Sequence, residues 1–330
     1  MRAFLTHNPE DLEAYYGRAL PELVKLVEPV FNPLGRDLTS PELVEAATGC
    51  EFIVAHRATG ADELVFDALP ELLSVFRCAI DISNIDVASA SQAGVLIANA
   101  DKSFIASTAE IALGLMLSSA RSIGQSTADY QNGVQPAQRP GQQLRGATVG
   151  IIGYGSIGSY LADLLHGIGM RVLIVDPFVT VPPDRGRQVD LGTLLAQADY
   201  VLPLAQAEDA TVNLIGRPEL AQMKHTATLV NVARGELIDE EAVATALDDG
   251  TLGGLAMDVG WAADQRPSMS LAARSGVVAT PHLGGLTPQN ADAQAISSVD
   301  QIAAVLRGDM PPRAVNPADA HRLQRFWTGK

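Results

Sequence analysis

The thirty residues from Thr148 to Pro177, TVGIIGYGSIGSYLADLLHGIGMRVLIVDP, constrain this chain more than any other stretch. Thr148 to Ile152 is an apolar run of strand length. Gly153, Gly155 and Gly158 follow at the spacing G-x-G-x-x-G. Tyr160, Leu161, Leu164 and Leu165 recur with helical period, and a second apolar run from Arg171 to Val175 ends at Asp176. Strand, tight turn, helix, strand and acid is the order of a dinucleotide-binding βαβ unit. Gly153 allows the sharp turn, Gly155 leaves room for a pyrophosphate, and Gly158 lets the helix lie close to the sheet. The free N–H groups of the helix start would hold the phosphates. Asp176 would accept the ribose hydroxyls and repel a 2′-phosphate. Arg185 and Arg187 stand about ten residues further on rather than beside it. The expected cofactor is NAD, not NADP.

The rest of the chain fits around this unit. At 330 residues there is room for two domains. Residues 1–98 alternate short strands and helices, which suggests a small parallel sheet. Strands are expected at Arg2 to Thr6, Glu51 to Ala55, Leu73 to Ala79 and Val95 to Ala98. Ser107 to Arg121 is a helix too apolar for a lone surface position, so another domain or subunit should cover it. Residues 129–147 read as a polar loop and 177–190 as a Pro-rich connection. Further strands are expected at Tyr200 to Leu204, Thr228 to Val232, Leu255 to Val259 and Val277 to Thr280, a doubly wound sheet. Asn290 to Arg307 is a long helix, and residues 308–330 an irregular tail folding back on the first domain.

Composition excludes several classes of function. A formal net charge of −15 argues against non-specific nucleic-acid binding and a basic membrane-surface role. No segment has the length and apolarity of an export signal or a membrane span, and a cytoplasmic protein is expected. The two cysteines, Cys50 and Cys78, form no metal-spaced cluster, and no metal site is expected.

Three strands of the second half end in polar residues: Arg234 after VNVA, Asp258 after LAM, and His282 after ATP. In an open α/β sheet, ligands bind beyond the carboxyl ends of the strands. Arg234 could clamp a planar carboxylate with paired hydrogen bonds and polarise a neighbouring carbonyl. His282 could carry the proton that a carbonyl gains when hydride reaches its carbon. Asp258 would orient a neighbour or sit near the nicotinamide.

These motifs together resemble the D-isomer-specific 2-hydroxyacid dehydrogenases. The resemblance rests on Asn84-Ile85-Asp86, on Thr108-Ala109-Glu110 through Arg121, and on the glycine turn with Asp176. It continues through NVARGELIDEEAV (231–243), MDV (257–259) and TPHLGGLTPQN (280–290). It implies a Rossmann domain, residues 99–287, inserted in a smaller flavodoxin-like α/β domain of residues 1–98 and 288–330. It also implies a homodimer built through helix 107–121, a cleft that closes on a small carboxylate substrate, and hydride transfer at C2 of a 2-hydroxy or 2-oxo acid. It makes Arg234 the carboxylate anchor and His282 the acid/base. It extends the cofactor-binding set to Thr108, Ser156, Ile157, Pro177, Val232, Ala233, Asp258 and Gly284.

Three departures qualify the resemblance. The family's glutamate that pairs with the catalytic histidine is replaced by Ala263, with Asp264 next to it; Asp264 is expected to take over the role and favour the protonated imidazole. The glycines of the family's substrate loop have become Ala79 and Asp81; their side chains would narrow the site that Ile80, Asp81 and Arg234 form for the substrate, and an inward-facing Asp81 would add negative charge, so a simple anionic 2-oxo acid would be a poor substrate. Leu204 and Gln206 stand where relatives often carry His and Pro near the cofactor. Two rival expectations follow: a non-catalytic NAD(H)-sensing or interaction protein on the same fold, and a dehydrogenase of a formate-like or phosphorus oxyanion.

Overall fold

The computed structural model describes residues 1–262 and 265–329. The chain divides into two compact units, Met1–Ser103 with Pro288–Lys330, and Phe104–Thr287.

The first unit is a five-stranded parallel sheet. Its strands are β1 (Arg2–Leu5), β2 (Glu28–Phe31), β3 (Phe52–Ala55), β4 (Ser74–Arg77) and β5 (Leu96–Ala98), in the order β2-β1-β3-β4-β5. This is the flavodoxin-like order. β1, β3, β4 and β5 are near-continuous apolar runs because helices cover both faces. On one face Leu5, Val54 and Phe76 pack with Val299 and Ile302 of helix Pro288–Arg307. On the other, Phe4, Ile53 and Val75 pack with Leu43 of helix Ser40–Ala47 and Phe66 of helix Glu63–Ala68. β2 has no counterpart among the expected strands: it is an edge strand with exposed ends and Pro29 within it, so it carries no buried run. The tail is more ordered than expected. Residues His321–Thr328 are helical, with Leu323 buried in the first unit and Arg322 donating to the carbonyls of Phe66, Leu69, Leu72 and Ala93.

The second unit is a seven-stranded parallel sheet. Its strands are β6 (Thr148–Ile152), β7 (Arg171–Val175), β8 (Arg187–Gln188), β9 (Tyr200–Pro203), β10 (Thr228–Asn231), β11 (Gly254–Met257) and β12 (Val277–Ala279). They run in the order β12-β11-β10-β9-β6-β7-β8. The direction of winding reverses between β6 and β9, the switch point at which doubly wound sheets bind ligands. The two-residue β8, inside the expected connection, is exposed and pairs only through Leu173–Arg187 and Ile174–Gln188. The apolar helix spans Ile105–Arg121 and finds its cover within its own unit: Ala109, Ala112, Leu115 and Met116 pack with Leu161 and Leu165 of helix Ser156–Gly167 and with Val230 and Ala256 of the sheet. A second helix, Ile123–Gln131, takes the first residues of the expected polar loop. Ser122, at φ 50°, breaks the chain direction between the two helices.

Candidate active site

The glycine turn is built as its residues require. Gly153 leaves β6 at φ +107°, and its N–H donates to Val175 O at 2.8 Å, tying it to β7. A Cβ on Gly153 would lie 2.8 Å from the backbone of Leu204 and Ala205, and one on Gly158 only 2.1 Å from Gly153 O. Both positions accept hydrogen alone. Above Gly155 there is open space, with nothing within 4 Å of a built Cβ. Gly155 caps helix Ser156–Gly167 with no side chain bonded to the first turn. The amides of Ser156 and Ile157 therefore remain for a ligand, where the helix dipole favours an anion. Asp176 closes the next strand. Its Oδ2 accepts from Tyr154 N at 2.7 Å, and its Oδ1 from Phe178 N at 2.8 Å and Val179 N at 2.9 Å. Partial burial opposes its ionisation, but the three amide donors outweigh burial and hold its pKa below the ordinary value. Arg185 is engaged by Asp163 and Asp184 rather than offered to a 2′-phosphate. Pro177 is exposed beside Asp176. A hydrogen-only turn, uncapped helix amides and a charged acid at the next strand end fit NAD.

The other polar residues lie along the same carboxyl edge. In register, Asn231 of β10 stands opposite Met257 of β11, which stands opposite Ala279 of β12. Arg234, Asp258 and His282 thus follow three neighbouring strands within three residues of their ends. Strand spacing places the outer two roughly 10 Å apart at the sheet. Two glycines lock the arrangement. A Cβ on Gly235, next to Arg234, would lie 2.3 Å from Gly260 C, and one on Gly260 would lie 2.7 Å from Pro267 Cα. Arg234 is half-buried, and Nη1 donates to Ala233 O at 2.8 Å. No acid pairs with it among the described residues, so most of its donors remain for a carboxylate.

Asp258 orients a neighbour. It is 0% exposed. Its Oδ1 accepts from Thr280 Oγ1 at 2.6 Å and Leu283 N at 2.7 Å, and its Oδ2 from Gly284 N at 2.7 Å. His282 N–H donates to Asp258 O at 2.9 Å. The His282 backbone sits at φ 61°, which a residue with a Cβ rarely adopts, so the turn needs this clamp. In this arrangement the carboxylate is enclosed by the turn, and of the two roles weighed for it from sequence the geometry supplies the orienting one. Gly284 packs on Thr108: a Cβ there would lie 3.5 Å from Thr108 Oγ1 and 3.1 Å from Asp258 Oδ2. Val232 is buried and Ala233 half-buried at the end of β10.

Asp264 and Ala263 lie outside the described residues. Ile80 and Asp81 belong to the first unit. Asp81 is exposed, and its Oδ1 accepts from Ser83 N at 2.9 Å; Ile80 O accepts from Asn99 Nδ2 at 3.2 Å. Two supporting residues were absent from the sequence-based set. Fully buried Asn231 accepts from Ala233 N and donates to Arg234 O, bracing the arginine turn. Buried Arg77 donates to the carbonyls of His56, Arg57, Thr59 and Asp81 and to Asn84 Oδ1, joining the loops after β3 and β4. An arginine ending an apolar run is the one signal that could have pointed to it.

Comparison with known proteins places the chain in a family. Residues 113–284 match the sequence model of the D-isomer specific 2-hydroxyacid dehydrogenase NAD binding domain. The chain is 32% identical over 301 residues to D-3-phosphoglycerate dehydrogenase of Methanocaldococcus jannaschii, covering 89% of this chain and 57% of that protein. It is 30% identical over 312 residues to glyoxylate reductase of Korarchaeum cryptofilum, covering 91% and 94%. The chain thus spans little more than half the length of its phosphoglycerate dehydrogenase relatives. Among solved structures, the TT0316 protein from Thermus thermophilus matches with a TM-score of 0.83 at 28% identity, covering 96% of this chain and all of that one. The chain therefore belongs to the D-isomer specific 2-hydroxyacid dehydrogenase family, and residues 113–284 are its NAD-binding domain.

Proposed function

We propose that this protein is an NAD-dependent oxidoreductase acting at C2 of a 2-hydroxy or 2-oxo acid. The observation that carries the reading is the shared carboxyl edge of the second sheet. There an arginine that no acid pairs with among the described residues follows β10, a clamped histidine turn follows β12 across the intervening β11, and the glycine turn opens on the same edge. The amides of Ser156 and Ile157 and the carboxylate of Asp176 would hold NAD, with Thr108, Pro177, Val232, Ala233 and Gly284 around it. Bound NAD(H) supplies or accepts the hydride. Arg234 anchors the substrate carboxylate and polarises the oxo group, an interaction that strengthens as negative charge grows on that oxygen. His282 donates the proton to the oxygen in reduction and removes it in oxidation. Asp264 is proposed as the carboxylate that steadies His282, and Ile80 and Asp81 as substrate-binding residues on the family resemblance.

A cytoplasmic homodimer is part of the same proposal. Among the described residues no helix is long and apolar enough to cross a membrane. Leu117, Ile123, Tyr130 and Val134 are exposed apolar residues on and just after helix Ile105–Arg121, a surface suited to a second copy.

The test is NADH oxidation against small, branched, aromatic and dicarboxylic 2-oxo acids, with NADPH in parallel and Arg234→Ala as control. Turnover selective for NADH and lost in the control is expected. Tight NADH binding without turnover on any member of the panel would sink the proposal and favour an NAD(H)-sensing role.

A further inference from the structure

The first unit carries its own group of chemistry-bearing residues. β2, β1 and β3 are neighbours in the sheet, and the segments after their carboxyl ends bring Asp37, His7 with Asp11, and His56 together. The frame is rigid. Thr6 Oγ1 accepts from His56 N at 2.9 Å, and Asn32 Nδ2 donates to Thr6 O and Arg36 O, both at 3.0 Å. One donor atom each from Asp11, Asp37 and His56 lies within 4.8 Å of the other two.

Acids near a histidine are common on protein surfaces. The imidazoles separate this cluster from an ordinary one. His56 is 9% exposed, and its Nδ1 is buried without a hydrogen-bond partner among the described residues. That nitrogen faces Asp11 Oδ2 at 3.7 Å, too far for a hydrogen bond. His7 is 2% exposed, and both its ring nitrogens are buried without partners among the described residues. Its ring centroid lies 5.2 Å from that of His56, and the Tyr15 ring stacks on His56 from 5.9 Å. Buried polar atoms normally find partners, so three unpaired nitrogens in two adjacent rings need an explanation. An ion between the carboxylates and His56 supplies one.

We propose that Asp11, Asp37 and His56 bind a divalent transition-metal ion of the zinc type, with His7 forming the inner wall and meeting an ion-bound water. One imidazole and two carboxylates suit zinc better than magnesium or calcium, which prefer all-oxygen shells. Ligand bonds of about 2.0 Å put ligand atoms roughly 3.3 Å apart, so the three side chains need to close by up to about 1.5 Å. Exposed Asp37 can make that movement, and it gives the ion a path in from solvent.

The test uses the tag-free full-length chain, stripped with a chelator and then titrated with zinc in competition with a chromogenic chelator. Asp37→Asn and His56→Gln are run in parallel. Cobalt is substituted for zinc to read ligand geometry from its visible bands. The expected result is one zinc per chain, bound at least about a hundredfold more weakly by His56→Gln and about tenfold more weakly by Asp37→Asn, with folding unchanged by circular dichroism. Asp37 is exposed, so its variant remains decisive if His56→Gln fails to fold. No zinc bound, or equal binding by wild type and Asp37→Asn, overturns the proposal.

Discussion

Asp258→Asn is the most informative single change in the second unit. The wild-type carboxylate accepts three hydrogen bonds, at 2.6, 2.7 and 2.7 Å, from Thr280, Leu283 and Gly284. An asparagine keeps the shape but only one acceptor oxygen. If that oxygen keeps Thr280 and Leu283, the new N–H2 group faces Gly284 N–H, donor against donor. One charge-assisted bond is lost, at about 1.5–3 kcal/mol, and the other two weaken to neutral strength. Relief from burying a charge offsets part of this, leaving a net loss of about 3 kcal/mol. The turn then no longer enforces φ 61° at His282, and the histidine drifts from its place. Urea unfolding should report the lost stability. Steady-state kinetics should show kcat reduced by up to about a hundredfold if the whole loss falls on the transition state. NADH affinity, read by fluorescence titration, should change little. A variant with unchanged stability and kcat but weakened NADH binding would refute the clamp and make Asp258 a direct cofactor contact.

Gly158→Ala drives a methyl to 2.1 Å from Gly153 O, so the helix must retreat from the turn; NADH affinity should fall at least about tenfold, roughly 1.4 kcal/mol, and an unchanged Kd would count against the phosphate site. Burial, followed by the charges of His56 and Arg77, lowers the His7 pKa from 6.5 to about 3, so the folded state binds fewer protons than the unfolded one. The stability this neutral histidine preserves is complete above pH 6.5 and is lost as pH falls toward 3, by up to about 1.4 kcal/mol per pH unit. Urea unfolding in metal-free buffer, with His7→Gln as a flatter-profiled control, checks that slope. Asp81→Gly restores the glycine of the family loop and removes a negative charge; kcat/KM for a small 2-oxo acid should rise about tenfold, and a fall would show that Asp81 is not what limits such substrates.

The extent to which each part of the molecule could be read from sequence follows from how local its cause is. β6, the glycine turn, helix Ser156–Gly167 and β7 were legible because every requirement lies within thirty consecutive residues. Arg234, Asp258 and His282 were legible as candidates because a buried parallel strand has no use for a polar residue at its end. β2 and β8 were not, since edge strands lack a continuous buried run, and the His321–Thr328 helix was missed because its apolar pattern is only two turns long.

The sequence by itself determined the family, the cofactor class, the order of the two α/β units and the residues that end the strands. Tertiary structure decided how those residues are braced. It enclosed Asp258 in the His282 turn, set Asn231 beneath Arg234, and gathered His7, Asp11, Asp37 and His56 from three separate segments. The Asn231 brace is local, three residues along the chain, but the Asp258 clamp and the histidine cluster depend on contacts between residues far apart in sequence, as in the hydrogen bond from His56 N to Thr6 Oγ1. Hydrophobic periodicity and turn chemistry report only on neighbours along the chain, whereas the pairing of side chains at a sheet edge is set by strand order and register.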